Sequence, residues 1–573
     1  MSERSLHGLA ASPGVAAGDV WLFDASEAPD EPHRGHEAER AAALGALAAE
    51  AAELGAQEES LRADGFADEA EILAANQLMA LDPLLRDEVA RLTAELTAPQ
   101  ALRAATARNA DLLAALDDPL LAARATDVRE LGRRAARSLA GGVAAPPQGM
   151  PVVVVAPDLG PADVAELRTS EAMVVAIALA HGAATSHAAI VARSLGLPMV
   201  VALGEDILDH AERAVVDGND GVLHLDPSLE RKRWAAAEME RLADRRRSLA
   251  RSRALPPVTR DGRWVTLLCN AATSVEIDAG LAAEADGVGL LRTELAFLEA
   301  TAWPTEGEHE RALAPLLALL PGRVATVRVL DFGEDKTPPF LQGTSERGLA
   351  LLLEQPEQLA AQLRALLRSA GDVELRVLLP LVESVRQMRA VRALLRAAAA
   401  DVGWSGPLPS LGAMIETPDA ARHAQEIALE SDFLSLGTND LVQYTLGYDR
   451  TEPLATAASA ADPRVLTLIA ATVDAAHATG ITVEVCGESA SLPELSALYV
   501  GLGVDELSVA PARIDEVRAT VRALRADLAA AAVTRALAAE SQNAALAIAR
   551  RLLSDELGHE EHQVLGGRDG VLA

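Results

Sequence analysis

From residue 259 onward, short apolar runs recur with helical segments between them, and no other feature of this 573-residue chain constrains its fold as tightly. The runs fall at 264–269, 286–291, 324–330, 373–379, 410–415, 432–436, 481–485 and 505–509. Eight successive βα units predict a closed (β/α)8 barrel, with an open doubly wound sheet as the alternative. Barrel enzymes carry their chemistry where strands end and loops begin. Polar residues stand at those ends here: Asn270, Arg292, Arg328, Glu416, Asn439 with Asp440, and Cys486.

Upstream the pattern changes twice. Residues 6–23 read as a short strand pair around a Ser12-Pro13-Gly14 turn. Residues 35–140 read as almost wholly helical, interrupted at Asp82-Pro83 and Asp118-Pro119. Apolar runs at 152–156, 173–177, 199–202 and 221–225 then alternate with helices and Gly turns. This predicts a small α/β domain with the helical block inserted after its first strands. Residues 228–257 read as a charged helix ended by Pro256-Pro257. Its Arg cluster reads as the solvated face of a connector rather than as an anion site.

Half the residues are hydrophobic but only 2% aromatic, so the cores must be built from Ala, Leu and Val. The net charge of −33 opposes nucleic-acid binding, which needs a cationic face. It suits a partner with a basic face, or serves only solubility. Two distant cysteines, Cys269 and Cys486, make no disulfide framework. The first residues lack the apolar core of a signal peptide, and no apolar run approaches the length of a membrane span. A cytoplasmic protein is expected.

Glu416 and Asp440, at the ends of neighbouring strands, can share one hard divalent cation; Mg2+ is the natural choice and Mn2+ the alternative. The plainer reading is that each carboxylate caps the following helix. Arg292, Arg328 and Lys336 read as a clamp for an anionic phosphoryl group. The plainer reading is salt bridges at the rim, with Glu294 close to Arg292. Arg450, on the loop after Asp440, is placed to hold a carboxylate on the same small molecule. Cys486 is placed to deliver a proton to an enolate carbon, although a buried Cys is more often inert. In the α/β domain, Thr185 or Ser186 can cap the apolar helix that follows, which puts His187 in its first turn. Free N–H groups and a partial positive charge there would stabilise a phosphoryl group on the imidazole. A lone His is otherwise more often a partly buried one.

Taken together, SPGVAAG near the start, ATDVRELG at 125–132, TSHAAIVAR at 185–193, VDGNDG at 216–221, GVGLLRTE at 287–294, PTE at 304–306, VRVLDFGEDK, IETP, SLGTNDLVQYTLGYDR and CGE at 486–488 closely resemble Enzyme I of the bacterial sugar phosphotransferase system. The TSH segment and the barrel are shared with pyruvate phosphate dikinase and phosphoenolpyruvate synthase, where a large ATP-grasp domain precedes the histidine. The resemblance implies an N-terminal swivelling phosphohistidine α/β domain (1–30 and 146–228), an inserted helical subdomain (31–145) that binds the phosphocarrier protein HPr, a linker helix (229–258), and a phosphoenolpyruvate-binding barrel (259–573). It implies that phosphoenolpyruvate binds with Mg2+, that its phosphoryl group passes to Nε2 of His187, that pyruvate leaves, and that the phosphohistidine donates to HPr. It also implies a homodimer joined through the barrels.

Motif by motif, the resemblance makes His187 the phosphoacceptor and Asp127 the residue that orients its resting ring. Arg292, Arg328 and Lys336 hold phosphate, Glu416 and Asp440 bind metal, Asn439 and Arg450 position the substrate, and Cys486 protonates the enolate. The chain departs from the family in four places. Ala183-Ala184 follow Gly182 before the TSH segment, the family's GGDK reads Gly333-Glu334-Asp335-Lys336, the 343–350 loop is shortened, and 455–462 lacks the usual loop sequence. Arg347 is aligned with an arginine that contacts phosphoenolpyruvate. The alternatives are a regulatory paralogue serving a non-sugar branch and a scaffold that has lost turnover.

Overall fold

The computed structural model describes residues 3–23, 32–63, 67–114, 119–139, 146–169, 172–184, 186–208, 211–298, 300–333, 337–344, 346–448 and 456–566. The chain divides into two compact units, Met1–Arg246 and Arg247–Ala573.

The first unit is built on one eight-stranded sheet. Its strands are β1 (Arg4–His7), β2 (Leu9–Ser12), β3 (Val15–Leu22), β4 (Pro151–Ala156), β5 (Met173–Leu179), β6 (Met199–Val201), β7 (Arg213–Asp217) and β8 (Val222–Leu225). They lie in the order β1-β8-β7-β3-β4-β5-β6-β2. The expected strand pair in 6–23 does not form. β2 pairs with β6 at one edge, whereas β3 lies between β7 and β4. The Ser12-Pro13-Gly14 turn therefore carries the chain from the sheet edge to its middle. Gly14 adopts φ +126°, its N–H donates to Asn219 Oδ1 at 3.0 Å, and its carbonyl accepts from Gly218 N at 2.8 Å. Pinned to the 217–221 turn, it cannot close a hairpin. That turn is tight because Asp217 Oδ1 accepts from Asn219 N and Asp220 N. A Cβ on Gly218 would meet Ser12 O at 2.0 Å, so only glycine fits there.

The helical block follows β3 and returns to β4, which pairs parallel with β3, so it is an insertion. Its helices are α1 (His36–Ala63), α2 (Ala67–Leu81), α3 (Pro83–Leu92), α4 (Ala98–Ala114) and α5 (Pro119–Leu139). Asp82 accepts from Leu84 N at 2.8 Å with Pro83 at the first helical position, which explains the first predicted break. Asp118, at the second break, lies outside the described residues. Helices α6 (Pro161–Thr169), α7 (His187–Ser194) and α8 (Leu229–Arg251) complete the series; α8 ends before Pro256-Pro257, as expected.

Helices α1, α5 and α6 meet at a buried ionic cluster. Arg134 donates to Glu50 Oε1 at 2.5 Å and Asp163 Oδ1 at 2.6 Å, and Arg137 adds a bond to Asp163 at 2.8 Å. Glu130 is fully enclosed beside them, in the space that the missing side chain of Gly160 leaves open. Burial first, then the charge of Asp163, raises Glu130 well above the usual carboxyl range. Arg134 and Arg137 outweigh burial at Asp163 and hold it below that range. The native state thus keeps a proton on Glu130 that the unfolded chain has released. Stability contributed by that proton is present below the ordinary Glu pKa of about 4.3 and is lost as pH rises toward the raised value. Glu130→Gln, which has no proton to lose, is expected to flatten this slope. Its urea midpoint should match wild type near pH 4 and exceed it increasingly toward pH 8.

The second unit is the expected barrel. Strands β9 (Thr266–Ala271), β10 (Gly287–Leu291), β11 (Val324–Arg328), β12 (Glu374–Leu379), β13 (Ser410–Ile415), β14 (Phe433–Leu436), β15 (Thr482–Val485) and β16 (Glu506–Val509) are all parallel. Glu506 to Val509 pair with Thr266 to Cys269, which closes the ring and excludes the open sheet. Apolar side chains between strands and outer helices form one continuous core of Leu, Val, Ala and Ile. Inside the barrel, Leu290, Leu378, Met414, Phe433 and Cys486 form a smaller cluster.

Candidate active site

The strand ends converge on a cavity of about 300 Å3. Asn270, Arg292, Arg328, Arg347, Asn439, Asp440 and Cys486 line it, together with Glu276, Asp331 and Glu488. Asn270 and Arg328 lie near the ends of β9 and β11. Arg292, Glu416 and Cys486 each follow directly on a strand, and Asn439 and Asp440 occupy the first turn of the helix Thr438–Leu446. Lys336 and Arg450 lie outside the described residues, as does Thr185.

The arginines differ in how they are held. Arg328 is buried, donating to Glu294 Oε1 at 2.6 Å and pairing with Asp331 Oδ2 at 3.0 Å. Burial opposes its charge, but Glu294 and Asp331 outweigh it, so its pKa ends above the ordinary value. Glu294 was expected beside Arg292. Instead it opens a short 3-10 turn, Glu294–Phe297, and serves Arg328. Among the described residues Arg292 has no carboxylate partner, and its buried Nε has no hydrogen-bond partner. Arg347 donates to Asp440 Oδ1 at 3.3 Å across the cavity.

The loops are braced from behind. Gln362 accepts from Leu330 N at 3.0 Å and donates to Thr293 Oγ1, which in turn donates to Arg328 O. Asn439 Oδ1 accepts from Glu488 N at 3.1 Å. Asp331, Gln362 and Thr293 escaped the sequence reading, although Asp331 belongs to the quoted VRVLDFGEDK segment and Thr293 to GVGLLRTE.

Glu416 is not among the lining residues. Its side chain is fully buried, and Oε2 accepts from Leu381 N at 2.8 Å. Burial first, then the charges of Asp440 and Asp331, raises it to about 8, although Arg328 and the Leu381 N–H act to lower it. Such an excess of carboxylate charge fits a bound cation. The donors are all oxygen, which selects a hard ion such as Mg2+ or Mn2+. Among the described residues there is no group of three or more His, Cys, Asp or Glu arranged as ligands. Two carboxylates suffice for Mg2+, which keeps several waters and takes further oxygens from a substrate phosphate.

Cys486 is almost fully enclosed. Its S–H points to Leu436 O at 3.7 Å, and Ser435 Oγ donates to Sγ at 3.2 Å. Burial first, then the charge of Glu484, pushes the thiol up, so it stays protonated. The second cysteine, Cys269, is also buried and free.

In the first unit, His187 is the first residue of α7. Ser186 is the N-cap, its Oγ accepting from Ala189 N at 3.3 Å. His187 Nδ1 bonds Asp127 Oδ2 at 2.9 Å, which leaves Nε2 as the outward nitrogen of a ring 23% exposed. Arg193, at the far end of α7, donates to Ala11 O and Ala184 O and so ties the preceding loop to β2. Asp127→Ala is expected to leave the ring unanchored. Misplacement of a reacting group costs on the order of 10²-fold, and any group transfer to the His187 ring should slow by about that factor in a rapid-quench measurement, with little change in the thermal midpoint.

Three family models match in chain order. They are the N-terminal domain of PEP-utilising enzymes over residues 7–124, their mobile domain over 149–221 and their PEP-binding domain over 246–526. A phosphoenolpyruvate-protein phosphotransferase of Streptomyces coelicolor is 38% identical over 502 residues, covering 85% of this chain and 87% of that protein. The chain belongs to the phosphoenolpyruvate-protein phosphotransferase family. A member of this family from Geobacillus stearothermophilus is 32% identical over 548 residues, covering 92% of this chain and 94% of its own. A multiphosphoryl transfer protein of Xanthomonas campestris is 35% identical over 543 residues. This chain spans 64% of that protein's length. No helix among the described residues is long and apolar enough to cross a membrane.

Proposed function

We propose that this phosphotransferase takes the phosphoryl group of phosphoenolpyruvate onto His187, releases pyruvate, and passes the group to the phosphocarrier protein HPr. This would be the first step of the sugar phosphotransferase system, in the cytoplasm. What supports the reading most is the single cavity in which the arginines, Asn439, Asp440 and a protonated thiol come together at the barrel's strand ends.

Arg292 and Arg328 grip the phosphoryl oxygens, joined by Lys336. Arg347, Arg450 and Asn439 orient the rest of the substrate. Glu416 and Asp440 would hold Mg2+, or Mn2+, which when bound neutralises phosphoryl charge. Phosphoryl transfer needs little covalent help, so positioning and charge neutralisation carry most of the rate. Asp127 keeps Nδ1 of His187 engaged, so Nε2 takes the phosphoryl group beside the free N–H groups of α7. Cys486 protonates the enolate left behind. The acceptor ring and the clamp belong to different units, so domain motion is required in each cycle and limits turnover.

On this reading 1–30 and 146–228 form the swivelling phosphohistidine domain, 31–145 receives HPr, 229–258 is the linker, and 259–573 is the barrel through which a homodimer forms. With Mg2+, phosphoenolpyruvate and HPr supplied, steady pyruvate release is expected. Release that stops at one equivalent without HPr and resumes on its addition fits the scheme; release indifferent to HPr rejects it.

A further inference from the structure

A second cavity, of about 320 Å3, opens in the first unit between α4, α5 and the loop that follows β4. No step above uses it. Although the chain carries a net charge of −33, this lining is basic. Arg103 comes from α4 and Arg129 and Arg133 from α5, against the single carboxylate of Asp158. The local fold explains why the arginines meet. Thr126, Arg129 and Arg133 recur at helical spacing and share one face of α5. The neighbouring face is the one that buries Asp127, Glu130 and Arg134. Gly132 lets α4 lie close against α5, since a Cβ there would meet Thr106 Oγ1 at 1.9 Å. Arg103, one turn before Thr106, thereby reaches the same cavity as Arg129 and Arg133.

The ion pairs at this cavity are weak ones. Arg129 reaches Asp111 at 2.7 Å, but the Asp111 side chain is 73% exposed. Arg133 meets Asp158 only at 3.5 Å, and its own side chain is 43% exposed. Exposed pairs of this kind contribute little, so an incoming anion displaces no strong bond. Three guanidinium groups less one carboxylate leave the lining with two positive charges, which match a dianion. Guanidinium forks hold phosphate oxygens in paired hydrogen bonds, and Thr126 adds a hydroxyl. The volume is that of a small-molecule site and close to that of the barrel cavity. A partner with a basic face, which the overall charge suits, would be repelled here. The cavity also adjoins both supports of the His187 ring. Asp127, which holds Nδ1, follows Thr126 directly, and a Cβ on Gly182, in the loop before α7, would stand 3.9 Å from Asp158 Oδ1.

We propose that this cavity is a second anion site, separate from the barrel, that takes a small phosphate-bearing molecule as its dianion. The site stands on its own geometry and does not depend on the proposed function.

The test is equilibrium binding of ³²P-labelled inorganic phosphate to the full chain, without Mg2+ and at mildly alkaline pH, where phosphate is a dianion. Arg292→Met weakens the barrel's own hold on phosphate and serves as the background. One equivalent should still bind to that chain. Adding Arg103→Gln and Arg133→Gln should weaken it at least about tenfold, the worth of a hydrogen bond to a charged group. Arg133→Lys, which keeps the charge without the fork, should fall between. Acetate, a monoanion, should compete far more weakly than unlabelled phosphate. An Arg292→Met chain that binds no phosphate would overturn the site. So would binding indifferent to Arg103 and Arg133, or acetate competing as well as phosphate. Binding of a poly-glutamate peptide that phosphate cannot displace would replace the small dianion with an acidic protein segment. Pyruvate formation, measured separately, decides the proposed function and leaves this result untouched.

Discussion

Arg328→Met should cut turnover by about 10²–10³ and weaken the barrel at once. Glu294, 0% exposed, and Asp331 would each lose the guanidinium that balances them. Breaking a buried ion pair by removing one partner costs about 3–5 kcal/mol. Removing one preorganised donor to developing charge costs about 10²–10³ in rate. The two effects separate by comparison with Arg292→Met. Arg292 has no carboxylate partner among the described residues, so its removal should cost similar activity but little stability. Arg328→Lys keeps the charge without the fork that serves two carboxylates, and should fall between wild type and Arg328→Met in urea midpoint. Equal urea midpoints for Arg328→Met and Arg292→Met would show that the Glu294–Arg328–Asp331 group is not what holds these loops.

Cys486→Ala should divide the reaction in two. Pyruvate formation should fall by about 10²–10⁴-fold, the usual contribution of a general acid. Under the proposed function, phosphoryl exchange between His187 and HPr makes no use of the barrel cavity and should stay near the wild-type rate. The thiol pKa is raised, so the proton-donating form persists as pH climbs through the ordinary thiol range near 8.5. The wild-type pyruvate step should therefore show no decline there from loss of the thiol proton. Equal losses in both half-reactions would make Cys486 a packing residue only.

Much of this architecture was legible because strand and helix periods alternate plainly after residue 259. All eight barrel strands fall within two residues of their expected starts and ends. Ring closure was legible only from the count of eight units, since pairing of Glu506–Val509 with Thr266–Cys269 joins segments about 240 residues apart and leaves no local mark. Strand β7 was missed because its apolar stretch, Ala214 to Val216, is only three residues between charged neighbours. The strand pair expected around Gly14 failed because a turn sequence says where the chain bends but not which strand it joins.

At the site, residues immediately after strands were readable by position, whereas their partners were not. Glu294 was assigned to Arg292 by proximity in sequence, yet the 3-10 turn carries it to Arg328. Glu484 did leave a signal: in VEVCGES the period of two puts it on the same side as Cys486. What the sequence withheld was that Glu506 and Arg376 would already be paired beside it.

On the proposed function, the His187 ring carries phosphorus taken from phosphoenolpyruvate. The most direct test is incubation with ³²P-labelled phosphoenolpyruvate and Mg2+, followed by acid and base treatment of the protein. An acid-labile, base-stable label on wild type that vanishes in His187→Ala is the expected result. Undiminished labelling of folded His187→Ala would show that another residue takes the phosphoryl group.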